Sequence, residues 1–157
     1  MKKLLFFLLL MTAVVGRAQT SLDLLPVGTE APDFTITDSK TGKKIFQLSD
    51  KKTQKDKDGK TVPGVWTMLD FWASWCPDCR RDMPMVKAIC DKYNTKIQVV
   101  GVSFDTDVAK MKKYLGDNQY IWLQYCEFKK WKETKISKDY HISWIPTSYL
   151  INPEGKV

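Results

Sequence analysis

The 157 residues suffice for one domain with a sizeable core. The formal charge is +7, and no basic helix face is interleaved with aromatics, which argues against a nucleic-acid partner. Lys2 and Lys3 precede the apolar run Leu4 to Val15, and Gly16-Arg17-Ala18 offers small residues at a cleavage site. Residues 1–18 therefore read as a cleaved export signal, with the mature domain at 19–157. Losing Lys2, Lys3 and Arg17 lowers the net charge to +4. Export into the periplasm of a Gram-negative cell would let disulfides persist.

Gln19 to Glu30 reads as an extended lead-in. Ala31 to Thr37 alternates apolar and polar residues and predicts a strand. Asp38 to Gly42 is a turn, and Lys44 to Leu48 pairs back as a hairpin. Lys51 to Lys60 holds five Lys, two Asp and no apolar residue, and reads as a mobile charged loop with a turn at Asp58-Gly59. Val65 to Ala73 is apolar except for Thr67 and Asp70 and predicts a central buried strand. Pro77 to Asn94 is helical, with Met83, Val86, Ile89, Cys90 and Tyr93 on one core face and a kink expected at Pro84. Ile97 to Phe104 is a second buried strand. Val108 to Leu115 is a helix closed by Gly116. Ile121 to Tyr125 is extended, Ser137 to Ile142 a short helix, and Thr147 to Ile151 a strand before the turn Asn152 to Gly155. Strands alternating with helices predict an α/β sheet covered on both faces.

The chemistry is concentrated in Cys76-Pro77-Asp78-Cys79, where the central strand feeds a helix. That placement puts the first sulfur at a helix N-terminus, where unpaired N–H groups and the helix dipole stabilise a thiolate, the form that attacks disulfides. Such a pair is also half of a zinc site. The remaining soft candidates, Cys90, Cys126 and His141, form no second close pair, so no metal site is expected. Pro77 suits the first helical position. Asp78 favours the helix but opposes a nearby thiolate, so the two residues tune the pair in conflicting directions. Cys90 falls on an apolar helix face and reads as a buried inert thiol, and His141 reads as structural.

The run Asp70-Phe71-Trp72-Ala73-Ser74-Trp75-Cys76-Pro77-Asp78-Cys79 closely resembles the active-site run of thioredoxin-fold proteins. Ala31-Pro32-Asp33-Phe34, Met83-Pro84, Trp131, Ile145-Pro146-Thr147 and the ending Leu150 to Lys156 resemble the exported TlpA/ResA-like branch, over roughly residues 27 to 157. The resemblance implies a thioredoxin fold, with a central mixed sheet, helices on both faces and an N-terminal β-hairpin. It implies that Cys76 is an exposed nucleophile that attacks a partner's disulfide. Cys79, more buried, resolves the mixed disulfide and leaves Cys76–Cys79 oxidised. The Cys76 thiol should titrate near about 7, below the free value of about 8.5. Asp70 matches a buried acid that can serve as base for Cys79. No Lys stands in Val99 to Ser103 to pair with it, unlike in thioredoxins. Pro146 matches a cis-proline facing the disulfide. The Ile145 backbone can pair with an extended client, and Trp75 lies beside the docking groove.

In the family a further edge strand and a C-terminal helix follow the Pro-Glu-Gly turn. The resemblance therefore implies that both are missing here, that the chain is cut short, and that an apolar face is left open. The expected activity is reduction of disulfides in exported client proteins, with apocytochrome c among the candidates, without a cofactor and with a membrane-bound thiol donor restoring the dithiol. Two rivals stand beside it. A peroxiredoxin-like thiol peroxidase shares the Ala31-Pro32-Asp33-Phe34 opening, but Trp75 precedes Cys76 where a peroxidatic cysteine follows Pro and Thr or Ser. A non-catalytic binding module would have no need of the intact cysteine pair.

Overall fold

The apolar run before the cysteines forms β5 (Trp66–Trp72), whose last four residues are buried. It is buried because it lies between two partners. β6 (Ile97–Ser103) runs parallel on one side and β8 (Thr147–Ile151) antiparallel on the other. β7 (Leu123–Cys126) adds parallel to β6, giving the order β7-β6-β5-β8. This is a computed structural model that describes residues 23–157, so the expected export signal at 1–18 lies outside the described residues.

The parallel connections run through α1 (Pro77–Tyr93) and α2 (Val108–Asp117). Both cross in the same direction along the sheet, and right-handed crossovers of that kind put both helices on one face. Trp72 of β5 meets Tyr114 of α2 there, with ring centroids 5.7 Å apart. Met68 of β5 joins Ile89 and Tyr93 of α1 in lining an open apolar groove of about 320 Å³, along with Ile97 and Leu150.

Alternate residues of β5 point the other way. Phe71 packs against Phe104, Tyr140 and Tyr149 at 5.5 to 6.1 Å. This face is covered by the hairpin of β1 (Thr35–Thr37) and β2 (Lys44–Gln47), and by α3 (Lys135–Asp139) with the segments beside it. Phe34 anchors the hairpin on Tyr125 and Tyr140, and the Tyr140 hydroxyl donates to the Pro32 carbonyl at 2.6 Å. Trp131 stacks on Phe104 at 5.4 Å and donates its indole N–H to the Ile142 carbonyl at 3.0 Å.

Three local expectations are corrected. First, the strand expected from Ala31 begins only at Thr35. Pro32 supplies no N–H, and the Asp33 carboxylate instead accepts from Ser49 N–H, Ser49 Oγ and Gln47 Nε2. Second, the charged segment 51–60 is not a plain loop. β3 (Gln54–Lys55) and β4 (Thr61–Val62) form a small hairpin, and Asp56 Oδ1 accepts from the Asp58 and Lys60 N–H groups, both at 2.9 Å. Third, α2 runs past Gly116. The left-handed residue is Gln119 (φ 57°), and Tyr120 N–H closes the end on the Leu115 carbonyl at 3.0 Å.

Candidate active site

Chain direction alone brings the cysteines to one end of the sheet. β5 ends at Trp72, and Ala73 to Cys76 make a turn closed by Cys76 N–H on the Ala73 carbonyl at 3.1 Å. α1 then starts with Pro77 at its first position, as the sequence predicts. Cys76 is the N-cap, and its sulfur accepts from Cys79 N–H at 3.1 Å. The two sulfurs lie at disulfide distance, with Cα atoms 5.3 Å apart. The motif therefore supplies the arrangement that chemistry at a helix N-terminus needs, a sulfur held on an otherwise unpaired N–H. α1 continues through Pro84, which donates nothing and leaves the Arg80 carbonyl without its ladder partner.

The resemblance implies an exposed nucleophile, and this is corrected. Cys76 is only 5% exposed, against 2% for Cys79. The segment before β8 lies over it, with the Ile145 carbonyl 3.9 Å from the Cys76 sulfur. The Ile145-Pro146 peptide is cis, as the resemblance implies. The exposed surface at this end is aromatic. Trp75 is 58% exposed and Trp144, just before Ile145, is 57% exposed. Trp72 belongs to the core, where its indole N–H donates to Gln124 Oε1 at 3.0 Å. Asp78 stands in the first turn of α1, ion-paired with Arg81, so its charge is partly offset.

Asp70 is 4% exposed and lies towards the cysteine end of β5. Its partner is Ser148, directly opposite on β8, whose hydroxyl donates to Oδ1 at 3.0 Å. Burial pushes the Asp70 carboxyl up to about 6; the Ser148 hydrogen bond opposes the rise and the nearby Asp82 charge adds to it. No hydrogen bond joins Asp70 to either sulfur. On β6 the residue opposite Asp70 is Gly101, and the Gln124 side chain occupies the space a side chain would fill there. Cys90 and Cys126 are free and only partly buried, which corrects the buried thiol expected at Cys90, and that partial burial still pushes both thiols up. Cys126 donates to the Asp105 carbonyl at 3.1 Å.

Sequence reasoning missed Trp144, Ser148 and Asp105, whose carboxylate holds Ser74. Trp144 carried a signal, an aromatic two residues before a proline in a connecting segment. Ser148 could be found only from the pairing of β5 with β8.

Comparison with known proteins agrees with the geometry. A family profile described as thioredoxin-like matches residues 64–157. The thiol-disulfide oxidoreductase ResA of Bacillus cereus is 31% identical over 134 residues, covering 85% of this chain and 68% of that protein. ResA of Bacillus subtilis (strain 168) is 31% identical, covering 83% and 64%. Among solved structures, the thioredoxin domain of a thiol-disulfide oxidoreductase from Bacteroides vulgatus superposes with a TM-score of 0.66 at 26% identity, covering 84% of this chain and 85% of that one. A thiol:disulfide interchange protein from Bacteroides sp. gives 0.65 at 26% identity, covering 85% and 79%. The mixed sheet, the cysteine pair at the start of α1 and these relatives together place the chain in the thioredoxin-like family, as a thiol–disulfide oxidoreductase.

Proposed function

We propose that this protein reduces disulfides of exported client proteins in the periplasm, through a cycle in which Cys76 is the nucleophile and Cys79 the resolving thiol. The Cys76 thiolate attacks one sulfur of a client disulfide. A Cys76–client disulfide forms and the client's other sulfur leaves as a thiolate. Cys79 then attacks the Cys76 sulfur, the Cys76–Cys79 bond forms, and the second client sulfur leaves. Two electrons have passed to the client, and a membrane-bound thiol donor restores the dithiol. Asp70, poised near pH 6, takes the proton that Cys79 gives up. The client lies as an extended segment against the Ile145 backbone and the cis Pro146, between the exposed rings of Trp75 and Trp144. Apocytochrome c and other exported cysteine proteins are the client class.

The observation that carries this reading is the Cys76 sulfur on the Cys79 N–H, beneath the Ile145 carbonyl. The test is the reduction potential of the pair, by equilibration in glutathione or dithiothreitol buffers. A value near or below about −250 mV supports a reductant, and one above about −150 mV makes the protein an oxidant and ends the proposal. Cys79→Ser should accumulate the Cys76–client disulfide, which mass spectrometry detects.

A further inference from the structure

A buried carboxylate needs donors, and the one just past β6 finds them on the reactive turn. Asp105 is 2% exposed. Its Oδ1 accepts from the Ser74 hydroxyl at 2.6 Å, and its Oδ2 accepts from the Ser74 N–H at 2.9 Å and the Ser103 hydroxyl at 2.7 Å. Ser103 Oγ in turn accepts from the Asp105 N–H at 3.0 Å. Cys126 of β7 donates to the Asp105 carbonyl, so the residue is fixed from two strands. Asp105 makes no ion pair among the described residues.

Ser74 is the second residue of the turn Ala73 to Cys76, and the two residues after it are Trp75 and Cys76. A carboxylate that holds both the N–H and the hydroxyl of one residue fixes its position and its orientation. We propose that Asp105 is a positioning residue for thiol exchange: through Ser74 it holds the reactive turn so that the Cys76 sulfur stays on the Cys79 N–H once the disulfide opens. The inference rests on reading Cys76 as the nucleophile. In the oxidised protein the sulfur–sulfur bond itself ties Cys76 to α1. Reduction removes that tie, and Cys76 is then held by the Cys79 N–H on its sulfur and by its backbone, which the turn positions. If the turn drifts, the thiolate loses the N–H and the helix terminus that stabilise it.

The clamp and a mere charge effect have opposite signs. A nearby negative charge disfavours a thiolate, so removing it lowers the thiol midpoint. Loss of the clamp raises the midpoint. The experiment is the pH dependence of iodoacetamide alkylation of the reduced full chain, with each cysteine followed by peptide mapping. Ser74→Ala keeps the Asp105 charge and removes one arm of the clamp. It should raise the Cys76 midpoint by about half a pH unit, which is about a threefold slower reaction at pH 6. Ser74→Thr, which keeps the hydroxyl, should return the profile to that of the unmodified protein. A Ser74→Ala profile that overlays the parent, or one shifted downward, overturns the proposal. If the unmodified protein is labelled first at Cys79, the nucleophile assignment fails instead, and mapping separates that result from failure of the clamp.

Discussion

Asp70 and Asp105 are both almost fully buried, and each lies at or near the end of the sheet that carries the cysteines, yet their surroundings differ. Asp105 has three donors on its two oxygens. Asp70 has one, Ser148, and a second carboxylate nearby in Asp82. Burial penalises a carboxylate's charge, and hydrogen bonds to the charged form offset the penalty. With a single donor, Asp70 is left to titrate close to neutrality. With three, Asp105 is committed to holding its neighbours. Asp70 thus faces one donor and a like charge, whereas the three donors of Asp105 tie the reactive turn to the end of β6.

Removing each carboxylate should therefore act in opposite directions. Asp105→Ala strands the Ser74 and Ser103 hydroxyls and the Ser74 N–H, and should destabilise the fold by about 4 kcal/mol in equilibrium denaturation. Asp70→Asn should do the reverse at pH 7. A carboxyl raised from 3.8 to about 6 is stabilising when protonated, and that stability is lost as pH climbs from about 4 to about 6. The Asn variant has nothing to lose in that window. It should be more stable at pH 7 by up to about 3 kcal/mol, while its stability below about pH 4 matches the parent. A parent whose stability is flat between pH 4 and 6 would remove the contrast between the two sites. If Asp70 is the base for Cys79, the same variant should also slow release of a trapped client, a kinetic loss alongside a thermodynamic gain.

Much of the contrast lies outside what a linear reading reaches. The β5–turn–α1 unit was legible because everything in it is local: an apolar run, two cysteines and a proline at the first helical position. β8 was legible from its own pattern and the Asn-Pro-Glu-Gly turn after it, whereas the cis form of Pro146 came from the resemblance alone. Asp70 was legible as a buried acid, but its partner Ser148 is 78 residues away and depends on which strand flanks β5. The Asp105–Ser74 contact spans 31 residues and joins two strand ends that only the parallel pairing of β5 and β6 makes neighbours. The hairpin at β3 and β4 escaped for a different reason. It has no apolar pattern, and backbone groups gathered by Asp56 order it. The low exposure of Cys76 could not be read because the covering Ile145 arrives from 69 residues further along.

The single donor on Asp70 offers a finer test. Ser148→Ala removes the one hydrogen bond that holds the carboxyl down, so the Asp70 midpoint should rise further above about 6. At pH 7 the loss should be about 1 kcal/mol, and it should fade below pH 4, where the carboxyl is protonated in both folded and unfolded chains. Carbon-13 NMR of the Asp70 carboxyl across pH reads the midpoint directly. An unmoved midpoint would mean that burial and Asp82 alone set it.

A third carboxylate supplies the exposed limit of the series. Asp78 sits one residue after Pro77, about half exposed and ion-paired with Arg81 on the same helix. Water screens such a pair, and Asp78→Asn should change stability by no more than about 0.5 kcal/mol. Its influence should be on the thiol instead. The Asp78 charge lies in the first turn, beside the N–H groups that stabilise Cys76, so removing it should favour the thiolate and move the alkylation midpoint down by a few tenths of a unit. Ser74→Ala should move the same midpoint up. Opposite shifts from two neighbours of one sulfur would separate electrostatic tuning from mechanical placement. A midpoint unchanged by Asp78→Asn would mean that the Arg81 pair already cancels the charge at the sulfur.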